Sequence, residues 1–143
     1  MNALTLESIL GGSTIFKQKV HSALDWITLI RQGLPVAAVD SVTKMVKLTQ
    51  SELGITLGIP ERTLARRKRE GKLRSEESAK LLRLARVLKR AVEVFEENEK
   101  AIDWLKHPNR ALGRYTPLSL LDTEVGANNV MDILGRIEEG VFS

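Results

Sequence analysis

The side chains best suited to chemistry in this chain are basic and lie between positions 61 and 75. That segment holds seven Lys or Arg and two Asp or Glu, whereas residues 91–143 hold five Lys or Arg and ten Asp or Glu. The net charge of the whole chain is +4. Arg62, Arg66 and Arg69 follow one another at steps of four and three, so on a helix they share one face. Because arginine can grip O6 and N7 of guanine with two hydrogen bonds, this face predicts a DNA-binding surface. The alternative is a helical hairpin with a solvated basic face.

The other residues of the basic segment are expected to make supporting contacts. Thr63 is placed to meet a phosphate or a base edge, while Lys68 and Lys72 are placed to hold phosphates, which fix register without reading sequence. Arg67 stands at a position that is often apolar in a recognition helix, and we expect its stem to cover apolar surface while its head reaches a phosphate. The candidate DNA-binding residues are Arg62, Thr63, Arg66, Arg67, Lys68, Arg69 and Lys72.

Side chains for catalysis are scarce. Cysteine is absent, the two histidines are His21 and His107, and no acid, base and nucleophile stand at a useful spacing. We therefore expect no enzymatic activity, no metal site and no cofactor. No run approaches the roughly 20 apolar residues of a membrane helix, and the first residues lack the basic flank and apolar core of a signal peptide. We expect no membrane contact and a cytoplasmic location.

Residues 50–69, QSELGITLGIPERTLARRKR, form the pattern that would position the basic face. The apolar residues of this segment are spaced to lie between two short crossed helices: Leu53, Leu57, Ile59 and Leu64. Gly58 falls in the turn between these helices, where a positive φ costs least for glycine. The pattern predicts a helix-turn-helix, whose second helix enters the major groove of DNA.

Helical signals also dominate the rest of the chain, and apolar and polar residues never alternate over a strand-length stretch. The fold class is therefore predicted as all-α. The expected helix starts are Ser13, Pro35, Ser75, Thr116 and Thr123, and the expected ends include Gly33 and Gly140. Gly126, near a helix start, and Gly135, within a helical run, are expected to permit close backbone approach or to mark a break.

The change of charge along the chain predicts two parts. We place the first at residues 1–96, with the helix-turn-helix and a dimerisation surface, and the second at residues 97–143. The apolar faces of the predicted helices at 14–32 and 75–98 are larger than one small domain can hide, so we expect part of them in a homodimer interface.

Three segments carry a resemblance to a known family. They are GIPERTLARRKREGKL (58–73), SEESAKLLRLARVLKRAVEVF (75–95) and a stretch at 101–142 with WL-x-x-PN-x-AL, TPL-x-LL-x-T-x-x-G and LGRIE-x-GV in that order. On these motifs the chain resembles, from about Leu34 to Phe142, the Xre/MbcA/ParS-type antitoxins of bacterial toxin–antitoxin pairs. It is most similar to the Xre partners of RES-domain toxins.

The resemblance implies an all-helical homodimer that binds the promoter of its own operon and inactivates a RES toxin through the C-terminal domain. RES toxins are similar to ADP-ribosyltransferases and deplete NAD, whereas the antitoxin is not an enzyme. The candidate toxin contacts are Arg114, Tyr115, Gly135, Arg136, Glu139, Val141 and Phe142. A second interpretation stays open, in which the chain is a stand-alone repressor whose C-terminal half only dimerises.

The C-terminal end also has two interpretations. Val141 and Phe142 offer apolar anchors next to the charges of Glu138 and Glu139, so this end could lie in the NAD cleft of the toxin and block substrate entry. Otherwise the terminus frays, and the surface of residues 113–136 inhibits the toxin alone.

Overall fold

The computed structural model of the chain describes residues 4–140, and its regular elements are helices. The α-helices in chain order are α1 (Leu6–Ile9), α2 (Ala23–Gln32), α3 (Ala37–Val46), α4 (Gln50–Leu57), α5 (Glu61–Glu70), α6 (Ser75–Phe95), α7 (Asn98–Lys106) and α8 (Glu124–Glu138). Short 3-10 turns lie at Gly12–Thr14, Arg110–Leu112 and Leu118–Leu120. The described range contains no strand, and its β-type pairing is an isolated bridge between Pro35 and Lys72. The all-α prediction is confirmed.

The helix-turn-helix predicted at residues 50–69 is present as α4 and α5. Thr49 caps α4, because its hydroxyl accepts the N–H of Glu52 at 3.0 Å and the Glu52 carboxylate accepts the N–H of Thr49 at 2.9 Å. These hydrogen bonds hold the pKa of Glu52 below its usual value, and the one from the Thr49 backbone has the largest effect. Gly58 ends α4 with a φ of 69°, the left-handed conformation that the sequence predicted for this turn.

The prediction that Ser13 begins the first long helix is wrong. Gly11 and Gly12 both have positive φ and lead into a 3-10 turn instead, and α2 begins at Ala23. The cap is Ser22, whose hydroxyl accepts the N–H of Asp25 at 3.3 Å, while the Asp25 carboxylate accepts the N–H of Ser22 at 3.2 Å. Reciprocal capping therefore decides the start of the helix. The predicted end at Gly33 is confirmed by its φ of 94°.

The predicted start of α6 is also wrong by one position. Arg74 occupies the cap position and Ser75 is already helical. The polar partner at this end is Glu77, which accepts the N–H of Arg74 at 2.8 Å. A carboxylate in the first turn can perform this role because it also meets the positive end of the helix dipole.

Helix α6 is the central element of the core. Its buried residues Leu81, Leu84 and Leu88 are fully removed from solvent, and the C-terminal helices α7 and α8 pack along it. Burial of one such leucine contributes about 1.5–3 kcal/mol. One buried cluster extends from α1 to α8, so α6 links the helix-turn-helix to the C-terminal helices.

The C-terminal helix begins and ends where the sequence predicted. Thr123 caps α8 by accepting the N–H of Gly126 at 3.0 Å, and Gly140 follows the helix with a φ of 77°. A Cβ on Gly126 would overlap the carbonyl oxygen of Leu120, which confirms close backbone approach at this glycine. Within residues 4–140, none of the helices has the length and apolar character needed to cross a membrane.

Candidate functional site

The two helices of the helix-turn-helix are held by a close main-chain contact. Gly54 lies where α5 begins to cross α4, and the N–H of Ile59 donates to its carbonyl at 2.8 Å. A Cβ on Gly54 would stand 2.7 Å from the carbonyl oxygen of Ile59, so a side chain here would push the helices apart. Leu53, Leu57 and Leu64 are buried between them, as the spacing predicted.

The end of α5 is anchored to the segment before α3. The N–H of Val36 donates to the carbonyl of Gly71 at 3.1 Å, and the N–H of Leu73 donates to the carbonyl of Leu34 at 2.9 Å. These hydrogen bonds flank the bridge between Pro35 and Lys72. They fix both the direction of α5 and the position of Lys72 on the surface.

The solvent side of α5 carries the arginines that the sequence placed together. Arg62, Arg66 and Arg69 are exposed, and they form no ion pair with any residue of the described range. Thr63 is half-buried near the start of the helix. Lys68 is exposed and lies 3.4 Å from the Asp40 carboxylate, a contact that is weak in water. The structure thus presents an open guanidinium face on α5.

The prediction that Arg67 reaches a phosphate is wrong. Its side chain is 4% exposed, and its Nε donates to Oε1 of Glu77 at 2.7 Å, while its Nη1 donates to Oε1 of Glu70 at 2.9 Å. Burial opposes ionisation of Glu77, but the hydrogen bonds from Arg67 and from the Arg74 N–H outweigh it and keep the pKa of Glu77 below its usual value. Arg67 therefore joins α5 to α6 and is not available to DNA.

The C-terminal half displays a compact loop before α8. Asn109 closes it, because its N–H donates to the carbonyl of Tyr115 at 3.0 Å and its own carbonyl accepts the N–H of Arg114 at 2.8 Å. Arg114 has a φ of 70°, which a residue with a side chain adopts rarely. Tyr115 is 62% exposed. Arg114 and Tyr115, both predicted to contact a toxin, thus lie on one surface loop that main-chain hydrogen bonds close.

Helix α8 carries the remaining predicted toxin contacts that the structure describes. Gly135 is half-buried, and Arg136 and Glu139 lie on the exposed side of the helix end. Val141 and Phe142 lie outside the described residues. The structure also shows an exposed apolar residue that sequence reasoning missed, since Val125 is 78% exposed. The helical period could have found it, because Val125 is out of phase with the buried residues of α8.

Two ion pairs join α8 to α6. Near the start of α8, Arg83 Nη1 lies 3.1 Å from the Glu124 carboxylate. Near its end, Arg90 donates through both terminal nitrogens to Glu138, at 2.9 and 2.7 Å. The hydrogen bonds from Arg90 hold the pKa of Glu138 below its usual value. The buried packing of α8 on α6, which includes Val130 and Leu134, fixes the position of α8, and these partly exposed ion pairs add to it.

Two family models match separate parts of this chain. One is described as an antitoxin Xre-like helix-turn-helix domain and matches residues 25–86. The other is described as an antitoxin Xre/MbcA/ParS C-terminal toxin-binding domain and matches residues 90–140. The first contains α4 and α5, and the second contains α7 and α8.

Individual proteins are similar over most of the chain. An antitoxin Xre of Yersinia enterocolitica is 40% identical over 116 residues, which cover 80% of this chain and 78% of that protein. An antitoxin Xre of Photorhabdus laumondii is 39% identical over 117 residues, with coverage of 80% and 79%. Among solved structures, a chain of the M. tuberculosis MbcT–MbcA toxin–antitoxin complex matches with a TM-score of 0.56 and 24% identity, covering 76% of this chain and 96% of that one. That likeness shows a shared fold.

Proposed function

Because this chain belongs to the Xre family of antitoxins, we propose that it inactivates a RES-type toxin that depletes NAD and that it regulates its own operon by binding the promoter. The observation that carries the proposal is that one scaffold joins an open arginine face on α5 to a C-terminal half that matches a toxin-binding domain. We propose no enzymatic activity for the chain itself, since its relatives are named antitoxins.

At the promoter, α5 is the recognition helix. Arg62, Arg66 and Arg69 point to solvent together and are free to contact base edges in the major groove. Lys68 and Lys72, beside this face, contact phosphates and set the register of the protein on the duplex. Thr63 contributes a hydroxyl near the start of the helix.

For the toxin, we propose that residues 97–143 are the binding domain and that residues 1–96 carry the DNA-binding and dimerisation surfaces. The contacts come from the loop with Arg114 and Tyr115 and from α8. The proposed contacts of the last part of the chain are Gly135, Arg136, Glu139, Val141 and Phe142. The buried packing of α8 on α6 supports this proposal because it holds the exposed side of α8 in one orientation.

Co-expression with a RES-type toxin encoded beside this chain tests the proposal. We expect the two proteins to purify together, cellular NAD to stay at its normal level, and growth to recover. A variant with Arg62→Ala and Arg66→Ala is the matched control, and it should neutralise the toxin equally well because these residues lie in the helix-turn-helix. A fall in NAD as deep as with the toxin alone, without co-purification, would leave the stand-alone repressor as the better interpretation.

The same proposal includes a homodimer formed through α2 and α6. No residue of α2 is buried, and Leu24 is 73% exposed, although the helix is amphipathic. A groove of about 590 Å³ lies beside it, lined by residues that include Trp26, Ile30 and Leu82. A second copy covering this apolar surface would also supply the second helix-turn-helix that a two-half-site operator requires.

We expect a dimeric mass by light scattering at micromolar concentration. Leu24→Glu should shift the mass toward the monomer, because a carboxylate on this face would lose its water in the interface. Leu24→Ala serves as the milder control, with weaker but measurable association. A monomeric mass for the unmodified chain would contradict the proposed dimer.

A further inference from the structure

Nothing in the described part of the chain explains why position 135 is a glycine. It lies within α8, which runs without a break from Glu124 to Glu138, and its φ is not positive. A Cβ at this position would meet nothing within 4 Å beyond its two chain neighbours and the main chain of its own helix. A glycine in a helix interior is less stable than alanine, and the packing of residues 4–140 does not require one here. Gly126 differs, because a Cβ there would strike Leu120.

Gly135 continues a row of residues that line a groove. Glu124, Asn128 and Met131 succeed one another at steps of four and three along α8, and Gly135 is the next residue in that row. The first three line a cavity of about 160 Å³ between α8 and α6. Met131 also lines a neighbouring cavity together with Arg90, which pairs with Glu138 at the end of α8, so this cavity follows α8 toward its last turn.

The α6 side of the groove offers a cation over an apolar floor. Val87 lines it together with Met131, and Arg83 is occupied by Glu124 at 3.1 Å. Arg86 also lines the groove and is exposed, and it makes no ion pair with any residue between 4 and 140. The groove therefore suits a segment that brings a carboxylate and an apolar side chain.

We propose that a segment of the toxin lies in this groove, with its main chain against Gly135, an acidic side chain on Arg86 and an apolar side chain against Met131 and Val87. This inference rests on the proposed function that the chain binds a toxin. The α8 wall of the groove lies within residues 90–140, which match the toxin-binding domain model, and Arg86 on the opposite wall supplies the cation that an acidic side chain would meet. Gly135 then allows an approach of two main chains that a methyl group would prevent.

The test measures thermal stability and toxin affinity on the full chain. Gly135→Ala should raise Tm by about 2–3 °C, since alanine favours the helix, and should weaken toxin binding at least tenfold. Arg86→Glu should weaken toxin binding at least tenfold as well, because it opposes two like charges. Since Arg86 also lines the groove beside α2, light scattering on the same variant should give the mass of the unmodified chain. Lys44→Glu changes an exposed cation on α3 outside the groove by the same charge, so it should bind the toxin like the unmodified chain.

The outcomes separate this inference from the proposed function. If the unmodified chain binds the toxin and both groove variants bind it equally well, the groove is not the contact and the inference is overturned. A lower Tm for Gly135→Ala would show a structural role for the glycine and would overturn it too. If the unmodified chain does not bind the toxin, the proposed function fails, and the inference about the toxin segment is overturned with it.

Discussion

Replacement of Arg62 and Arg66 together by alanine should weaken operator binding strongly while toxin neutralisation stays at its normal level. Both side chains are exposed on α5 and form no ion pair within residues 4–140, so their loss removes base contacts without disturbing the packing. Each arginine–guanine contact contributes about 1–3 kcal/mol of discrimination. Two such losses should weaken binding by about 30-fold to 10⁴-fold. A fluorescence-anisotropy titration at one fixed salt concentration measures this change.

The control for this prediction removes two positive charges outside the helix-turn-helix. Lys17→Ala with Lys19→Ala takes two exposed cations from the loop before α2 and should bind the operator with nearly the original affinity. If the arginine variant bound as tightly as this control, α5 would not be the recognition helix. The comparison matters because any loss of positive charge weakens non-specific attraction to phosphate.

The helix-turn-helix could be predicted from sequence because its signals are local. The apolar spacing from Leu53 to Leu64 and the glycine at position 58 lie within one short segment, and both features describe the structure that forms. The start of α2 could not be predicted in this way. The apolar period continues through Ile15 and Phe16, but capping by Ser22 begins the helix later.

The candidate sites were harder to predict because burial depends on residues far along the chain. Arg67 belongs by sequence to the basic run, and only the contact with Glu77 on α6 reveals that it is internal. The two glycines of α8 also look alike in sequence. The structure separates them, since Gly126 faces the main chain of Leu120 whereas Gly135 faces open space.

Replacement of Glu77 by alanine should lower the free energy of unfolding by about 3 kcal/mol, because removal of one partner leaves the other charge of a buried ion pair without compensation. The loss also frees the N–H of Arg74 at the start of α6, which now donates to Glu77 at 2.8 Å. For a chain of this length the expected fall in Tm is about 10 °C. Calorimetry at pH 7 gives the value. Glu76→Ala, which removes an exposed carboxylate one residue earlier, should change Tm little.

The pH dependence of Tm for Glu77→Ala shows why this variant is less stable than the unmodified chain. The pKa of Glu77 is lower in the folded chain than its usual value of 4.5, so its contribution is complete above that value and is lost as pH falls through the folded pKa. The difference in Tm between the unmodified chain and Glu77→Ala should therefore be largest near neutral pH and should shrink in acid. Glu77→Gln, which can still accept the Arg74 N–H but carries no charge, should fall between the two at pH 7. An equal deficit at every pH would mean that packing around Glu77, rather than its charge, stabilises the junction of α5 and α6.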